Sequence, residues 1–262
     1  SAKVLVIGGG AAGMQAAISA AERGHKVTIA EKSDKLGGLL YFTDVDVDKP
    51  DLRNFKNLLI NEVNRLGVEV LLNTEVTPEF IKNFGADSII IATGSLPTHP
   101  PIKGIENAHQ AMDVYDGDFK PGKKIVMIGG GLVGCETGLH LAKTGHEVTV
   151  VEMLDRVANE SFGMYRDALV WEMSKNNMTM LPKTKCLEIG ADYVMVENAD
   201  GVQKLKADTV LYALGMKSVD YSALKEAAGD TQVQVVGDAI APGKVDQCTR
   251  SGYLAAIEIA KA

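Results

Sequence analysis

An internal duplication limits the fold of this chain more than any other feature of its sequence. The segment 4–32 aligns without a gap onto the segment 125–153, and 11 of the 29 aligned positions are identical. The same spacing of 121 residues returns further along the chain, where the segment 86–94 lies over the segment 207–215. Repeat arrays have periods of roughly 20–50 residues. A spacing this long therefore predicts two related domains instead of a solenoid.

Each copy opens with a strand, a glycine-rich turn, a helix and a second strand. In the first copy, Lys3 to Ile7 is an apolar run typical of a parallel strand that is buried on both faces. Ala11 to Arg23 is a helix-forming segment that stops before Gly24. The second copy repeats this order, with a helix predicted over Leu132 to Lys143. The predicted fold class is α/β, with two Rossmann-like domains, the second inserted in the first.

The two copies differ by insertions, and these help to place the domain boundaries. The first copy has an extra loop around Leu39 to Lys49, and the second has an antiparallel meander over the segment 186–206. A strand over Gln232 to Val236 and a helix over Gln247 to Ala260 follow the second copy, and we expect them to complete the first sheet. The predicted domains are residues 1–107 with 220–262, and residues 108–219.

Both turns carry the GxGxxG motif of dinucleotide-binding sites. The first glycine permits the tight turn, the second lets the backbone approach a pyrophosphate, and the third allows the helix to pack close to the strand. The helix N-terminus offers free N–H groups and a positive dipole end. Glycines needed only for a close-packed turn are the alternative interpretation. The binding residues predicted from the motif are Gly8, Gly10, Ala11, Ala12 and Gly13 in the first copy, and Gly129, Gly131, Leu132, Val133 and Gly134 in the second.

A glutamate closes the second strand of each copy. Glu31 and Glu152 each stand about 18 residues after the third glycine, where a carboxylate can accept hydrogen bonds from an adenosine ribose. Because a carboxylate repels a 2′-phosphate, Glu152 favours NADH over NADPH. Arg156 is close enough in sequence to reach a 2′-phosphate, which leaves NADPH open. Lys32, beside Glu31, belongs to the predicted first site.

Charge and composition exclude several classes of protein. The net charge of −7 and the pI near 5.3 have the wrong sign for binding nucleic acid. No apolar run reaches the roughly 18–20 residues of a membrane span, and no signal peptide precedes the first strand. We therefore expect a cytoplasmic protein that binds neither nucleic acid nor membrane. Cys135, Cys186 and Cys248 form neither a CxxC pair nor a metal-ligand cluster, which excludes disulfide reduction and predicts no metal site.

Together with several shorter motifs, these features carry a family resemblance. In order, the motifs are the first glycine motif with Glu31, Lys35-Leu36-Gly37-Gly38-Leu39-Leu40, Ala92-Thr93-Gly94, the second glycine motif with Glu136 and Glu152, Ala213-Leu214-Gly215, and Val236-Gly237-Asp238. The chain resembles the flavoproteins with two dinucleotide-binding domains. It is most similar to the C-terminal FAD/NAD(H) module of old-yellow-enzyme-type NADH:flavin oxidoreductases, a group that includes 2,4-dienoyl-CoA reductase, 2-enoate reductase and trimethylamine dehydrogenase.

The resemblance implies that the first domain binds FAD and the second binds NADH. A loop of Gly37, Gly38 and Leu39 would lie beside the flavin, and backbone at Val76 would meet adenine. Asp238 would accept a hydrogen bond from a ribityl hydroxyl, although a turn or cap residue is the alternative. Glu136 resembles a glutamate near the nicotinamide, with a helix-surface residue as the alternative. The other cofactor contacts that the resemblance implies are Ala92, Thr93, Gly94, Gly215 and Gly237.

The resemblance also implies an NADH-dependent flavin oxidoreductase that has no catalytic side chain. Hydride transfer from C4 of NADH to N5 of FAD needs two rings stacked at roughly 3–3.5 Å, so binding residues suffice. In the resembled family an N-terminal barrel with FMN and a 4Fe-4S cluster takes the electrons and reduces an activated C=C bond. The chain is therefore expected to be a fragment of a larger enzyme. A structural module that holds ADP, and a reductase for a separate electron carrier, are the alternatives.

Overall fold

The computed structural model describes residues 1–259, which form alternating strands and helices. The helices are α1 (Ala11–Glu22), α2 (Pro50–Arg65), α3 (Pro78–Phe84), α4 (Leu132–Lys143), α5 (Gly163–Lys175), α6 (Ser222–Ala227) and α7 (Val245–Ile257). The strands are β1 (Lys3–Ile7), β2 (Lys26–Ala30), β3 (Glu69–Leu71), β4 (Ser88–Ile91), β5 (Ser95–Pro97), β6 (His109–Gln110), β7 (Lys124–Ile128), β8 (Glu147–Val151), β9 (Met178–Leu181), β10 (Lys185–Ile189), β11 (Tyr193–Asn198), β12 (Gly201–Lys206), β13 (Thr209–Tyr212), β14 (Met216–Ser218) and β15 (Gln232–Val235).

The first compact unit is assembled from two separate parts of the chain. It comprises Ser1–Leu96 and the described residues from Met216 onward. Its five-stranded sheet has the order β15-β4-β1-β2-β3, and every neighbouring pair is parallel. Strand β15 comes from the second part and pairs with β4, with Val233 opposite Ile89. The predicted return of the chain to complete the first sheet is confirmed.

The second compact unit, Pro97–Gly215, repeats this architecture. Its five-stranded sheet has the order β6-β13-β7-β8-β9 and is also parallel throughout. Strands β10, β11 and β12 form a separate antiparallel sheet, as the meander pattern predicts. The sequence pattern does not indicate β6, because two residues are too few to show a periodicity. The α/β class with two Rossmann-like sheets is confirmed.

The limits of the compact units differ from the predicted domain boundaries. The second unit begins at Pro97, before the predicted residue 108, because the segment after β5 bonds to the end of the same unit. The N–H of Thr98 donates to the carbonyl oxygen of Gly215 at 3.0 Å, and its hydroxyl donates to the carbonyl oxygen of Leu214 at 2.8 Å. Compactness does not define which residues contact a nucleotide, so the domain boundaries at 107/108 and 219/220 remain predictions.

Both faces of each parallel sheet are covered, which explains the continuous apolar runs of the central strands. In β1, Val4 and Val6 pack with buried residues of α1 and α7, whereas Leu5 and Ile7 pack on the opposite face with residues of α3 and β4. Fully burying one such side chain contributes roughly 1.5–3 kcal/mol. In β7 the same alternation directs one face to α4 and α5 and the other to the antiparallel meander. The inserted meander therefore supplies cover for the second sheet.

Helix α7 packs closely on α1 and so supports the glycine-rich turn that precedes α1. A Cβ atom on Gly252 of α7 would lie only 2.3 Å from the carbonyl oxygen of Ala12, so the approach requires glycine. Helix α7 begins at Val245, two residues before the predicted start. The predicted end at Ala260 lies outside the described residues.

Within residues 1–259, the helices are too short or too polar to cross a bilayer.

Candidate functional site

Two candidate nucleotide sites, one in each unit, begin at glycine-rich turns. Gly8 has a φ of +107° and Gly129 a φ of +100°, a region that residues with a side chain rarely adopt. A Cβ atom on Gly8 would lie 2.2 Å from the carbonyl oxygen of Ala92, and one on Gly129 would lie 2.2 Å from that of Ala213. A Cβ atom on Gly13 would meet the carbonyl oxygen of Gly8 at 2.0 Å. Close packing alone therefore accounts for the first and third glycines.

Close packing does not account for the middle glycine of the first turn. Gly10 has an ordinary φ of −76°, and a Cβ atom there would meet nothing closer than the Cα atom of Gly38, at 3.8 Å. No side-chain hydrogen bond is made at this N-cap position of α1. The first turn of a helix has N–H groups without intrahelical partners. The missing side chain thus leaves room for an anion in front of α1.

The two predicted ribose-binding glutamates have matching positions in the two units. Glu31 accepts hydrogen bonds from the N–H groups of Gly9, at 2.7 Å, and Ser33, at 2.8 Å. Glu152 accepts from Gly130 at 2.7 Å and from Leu154 at 2.8 Å. Two carboxylate oxygens have about four lone-pair sites. Each glutamate therefore fixes the glycine turn beside it and retains acceptor capacity for ribose hydroxyls.

The predicted flavin loop lies against the first turn. The N–H of Gly37 donates to the carbonyl oxygen of Gly9 at 2.9 Å. Gly38 approaches Gly10 so closely that a Cβ atom on Gly38 would lie 2.8 Å from the Cα atom of Gly10. Leu39 follows at the start of a short 3-10 helix and is 45% exposed. The structure thus brings this loop beside the turn and presents an apolar side chain to the surroundings.

The segment after β4 contains a buried polar atom that lacks a partner. Its main chain is tied to β1, because the N–H of Ala92 donates to the carbonyl oxygen of Ile7 at 2.8 Å. The hydroxyl oxygen of Thr93 is buried and has no hydrogen-bond partner among the described residues. An unsatisfied buried hydroxyl costs roughly 1–3 kcal/mol. A polar ligand beside the Gly8 turn would remove this cost.

Asp238 joins the same site from the C-terminal part of the chain. Gly237, which precedes it, lies against the first turn of α1, since a Cβ atom there would be 2.6 Å from the Cβ atom of Ala12. The carboxylate of Asp238 accepts hydrogen bonds from the hydroxyl of Ser95, at 2.8 Å, and from the N–H of Gly243, at 3.0 Å. The Asp238 side chain is therefore held in one orientation and retains acceptor capacity.

Three other predicted residues of the first unit have less defined places. Val76 is buried in the apolar cluster that contains Ile7 and Ala30, on the side of the sheet away from α1. Lys32 is exposed at the end of β2, and Gly94 has a φ of +72° in the turn that leads to β5. Their contacts with a cofactor remain predictions.

The second turn differs from the first by a side chain that the motif does not predict. The N–H of Leu132, the first residue of α4, donates to Oε1 of Glu160 at 2.6 Å. A Cβ atom on Gly131 would lie 2.8 Å from the same oxygen. The sequence does contain a signal for Glu160. The alignment of the two copies at a spacing of 121 residues continues past Lys32 and pairs Leu36 with Val157 and Leu39 with Glu160.

Glu136 and Arg156, two further residues of the second unit, already have partners within it. The hydroxyl of Tyr165 donates to Glu136, and Nε of Arg156 donates to Oδ1 of Asn159 at 2.6 Å. Arg156 has further N–H groups, so NADPH remains an alternative to NADH. Gly215, with a φ of +96°, ends this unit beside Thr98.

The three cysteines are protonated thiols at neutral pH. Burial raises the pKa of Cys135 to about 12 and that of Cys186 to about 11. Burial, followed by the charge of Asp238, raises the pKa of Cys248 to about 12. Because the thiolate is the reactive form, none of the three is prepared for thiol chemistry.

This geometry defines a chain with two dinucleotide-type turns, each followed by a glutamate. The pyridine nucleotide-disulphide oxidoreductase family matches residues 2–238, and the chain belongs to this family. It lacks the redox cysteine pair that the family description suggests. The family implies binding of FAD and NAD(P)H, and the open space at Gly10 and the unpartnered Thr93 hydroxyl fit such a cofactor.

Three similar proteins extend this classification. The chain is 38% identical to an NADH oxidase of Thermoanaerobacter brockii, covering 98% of this chain and 41% of that protein. It is 39% identical to a cinnamate reductase of Clostridium sporogenes, covering 82% of this chain and 33% of that protein. The structure of a 2-naphthoyl-CoA reductase complex superimposes with a TM-score of 0.93 at 32% identity, covering 100% of this chain and 40% of that one. The chain thus spans well under half the length of these relatives.

Proposed function

We propose that the chain transfers hydride from NADH bound in the second unit to FAD bound in the first. The duplicated turn with its glutamate carries this proposal, because each copy combines an anion-binding helix N-terminus with a carboxylate for ribose. When bound, the two cofactors supply the redox chemistry: a hydride leaves C4 of NADH and joins N5 of FAD. The domains proposed to bind them are residues 1–107 with 220–262 for FAD, and 108–219 for NADH.

In the first unit, this chain's own residues hold and orient the cofactor. Gly8 permits the tight turn, Gly10 leaves space for a pyrophosphate, and Glu31 would accept hydrogen bonds from ribose hydroxyls. The main chain of Gly37 and Gly38 would lie beside the flavin ring, and Asp238 would accept a hydrogen bond from the ribityl chain. The Thr93 hydroxyl is proposed to obtain its missing partner from the cofactor.

The electrons are proposed to continue to a part of the full-length protein that is not contained in this chain. The chain spans 33–41% of its relatives, and two of them are named as reductases of cinnamate and 2-naphthoyl-CoA. We propose a partner barrel domain that holds FMN and a 4Fe-4S cluster and reduces an activated C=C bond. The supporting observations are the coverage and those names.

A visible spectrum of the purified chain tests the hydride transfer. We expect flavin absorbance that NADH bleaches under anaerobic conditions, with FAD released on denaturation. A colourless protein that releases ADP would instead support the structural module and contradict the proposal. The variant Gly10→Val is expected to lose flavin, because its side chain fills the space in front of α1. Gly117→Val is the control for introducing a valine, because this exposed glycine is outside the left-handed region and its Cβ atom would meet nothing within 4 Å.

A further inference from the structure

The N-terminus of α4 is occupied by a carboxylate that belongs to the chain itself. Oε1 of Glu160 accepts from the N–H of Leu132 at 2.6 Å and lies over Gly131, the middle glycine of the motif. A dinucleotide in this turn places its pyrophosphate at the same position. Two negative groups cannot share one set of N–H donors, so the carboxylate and the pyrophosphate exclude each other.

The first copy is open at the corresponding position, since a Cβ atom on Gly10 would meet nothing closer than the Cα atom of Gly38, at 3.8 Å. The two loops share one main-chain contact, since the N–H of Gly37 donates to the carbonyl oxygen of Gly9 at 2.9 Å and the N–H of Ala158 donates to that of Gly130 at 2.6 Å. In the first copy, the residue aligned with Glu160 is Leu39, which has no carboxylate. The duplicated turn thus has one open and one self-capped form.

The loop backbone is held firmly up to Ala158, whereas the Glu160 side chain is exposed. Ala158 is fully buried, and Nε of Arg166 donates to the carbonyl oxygen of Val157 at 2.9 Å. The hydrogen bond that Glu160 accepts from the N–H of Leu132 in α4 is at the surface. A rotation of the Glu160 side chain alone therefore vacates the N-terminus of α4 without moving the anchored part of the loop.

We propose that Glu160 determines the affinity of the second nucleotide site by competing with the pyrophosphate for the N-terminus of α4. This inference rests on the proposed function, because it needs a dinucleotide in the second unit. Its consequence is a division of roles between the copies. The open turn keeps FAD as a resident cofactor, and the self-capped turn releases NAD⁺ readily after each hydride transfer.

The effect is measured as a change in the dissociation constant for NAD⁺. We choose NAD⁺ because oxidised FAD does not react with it, so the titration reports binding alone. In Glu160→Gln a neutral amide replaces the carboxylate, which weakens the internal hydrogen bond and removes the repulsion of the pyrophosphate. We expect Kd to fall roughly 5- to 20-fold, since a charged acceptor contributes about twice as much as a neutral one and also interacts with the helix dipole. Glu160→Ala is expected to shift Kd in the same direction.

Glu147→Gln is the matched control, because it removes the same charge from an exposed position on β8. Calorimetric titration of the wild-type chain and the three variants with NAD⁺ distinguishes the outcomes. Tighter binding only in the Glu160 variants supports the inference. Equal Kd in wild type and Glu160→Gln, or an equal gain in Glu147→Gln, overturns it and leaves the proposed function intact. Absence of NAD⁺ binding in every form overturns both.

Discussion

Position 8 requires glycine for two reasons: its backbone is left-handed, and a side chain would have no space beside Ala92. Gly24 isolates the first demand, because its φ is +87° and a Cβ atom there would meet nothing within 4 Å. We expect Gly24→Ala to lower the free energy of unfolding by about 1 kcal/mol through backbone strain. Gly8→Ala is expected to lower it by about 3–4 kcal/mol, since overpacking adds to the strain. Urea unfolding followed by circular dichroism measures both, and equal losses would contradict the argument.

The raised pKa of Cys135 predicts a loss of stability at alkaline pH. Its folded pKa of about 12 lies above the ordinary value of 9.0, so the folded chain keeps a proton that the unfolded chain releases. The resulting stabilisation is fully present below pH 9 and is lost as the pH rises toward 12. The variant Cys135→Ala has no thiol at this position and therefore lacks this pH-dependent stabilisation. We therefore expect the stability advantage of wild type over Cys135→Ala, measured by urea unfolding, to shrink between pH 8.5 and pH 10.5, and a constant difference would contradict the burial of the thiol.

At the scale of single residues, the sequence identifies some site residues and misses others, and the difference has a physical reason. The roles of Gly8 and Gly13 follow from local turn geometry, which a motif of six residues encodes. The cap on Leu132 by Glu160 depends on a contact across 28 residues, and the bond from Ser95 to Asp238 spans 143. Such contacts exist only after the sheet has formed, so spacing within a motif does not reveal them.

Helix α4 has a capping carboxylate that α1 lacks. This carboxylate is proposed to weaken NAD⁺ binding but to stabilise the chain without nucleotide, and the two effects can be measured separately. In the chain without nucleotide, Glu160 satisfies one N–H group and interacts favourably with the positive end of α4. We expect Glu160→Ala to lower the free energy of unfolding by about 0.5–1 kcal/mol, because the site is exposed. Thermal unfolding without nucleotide measures this loss, with Glu147→Ala as the control. Unchanged stability in Glu160→Ala would contradict the capping role.

Most long elements can be predicted from the sequence, whereas the short ones cannot. Strand β1 and helices α1 and α4 appear where apolar runs and helix stops place them, with ends that differ by at most one residue. Strands β6 and β14 have two and three residues, too few for a periodicity, and are fixed by their partners in the sheets. A helix or strand can therefore be predicted from the local sequence pattern when it is long enough to show a periodicity.

Across the whole molecule, the duplicated glutamates allow the two nucleotide sites to be impaired one at a time. Glu31→Gln weakens the hydrogen bonds that hold the first turn and is expected to reduce bound flavin, while NAD⁺ affinity stays unchanged. Glu152→Gln is expected to weaken NAD⁺ binding about tenfold and to leave flavin content unchanged. Absorbance at the flavin band and NAD⁺ titration measure the two effects. Loss of both ligands in either variant would contradict separate sites.

The interrupted course of the first unit has a consequence for the order of events at the ribosome. Pro97–Gly215 is continuous and emerges from the exit tunnel as a whole, whereas the β4 edge and one side of α1 wait for β15 and α7. Nascent chains grow at roughly 5–20 residues per second, and continuous domains fold as units. We therefore expect the later-encoded copy to fold first, while the earlier-encoded copy stays incompletely packed until β15 and α7 have been synthesised.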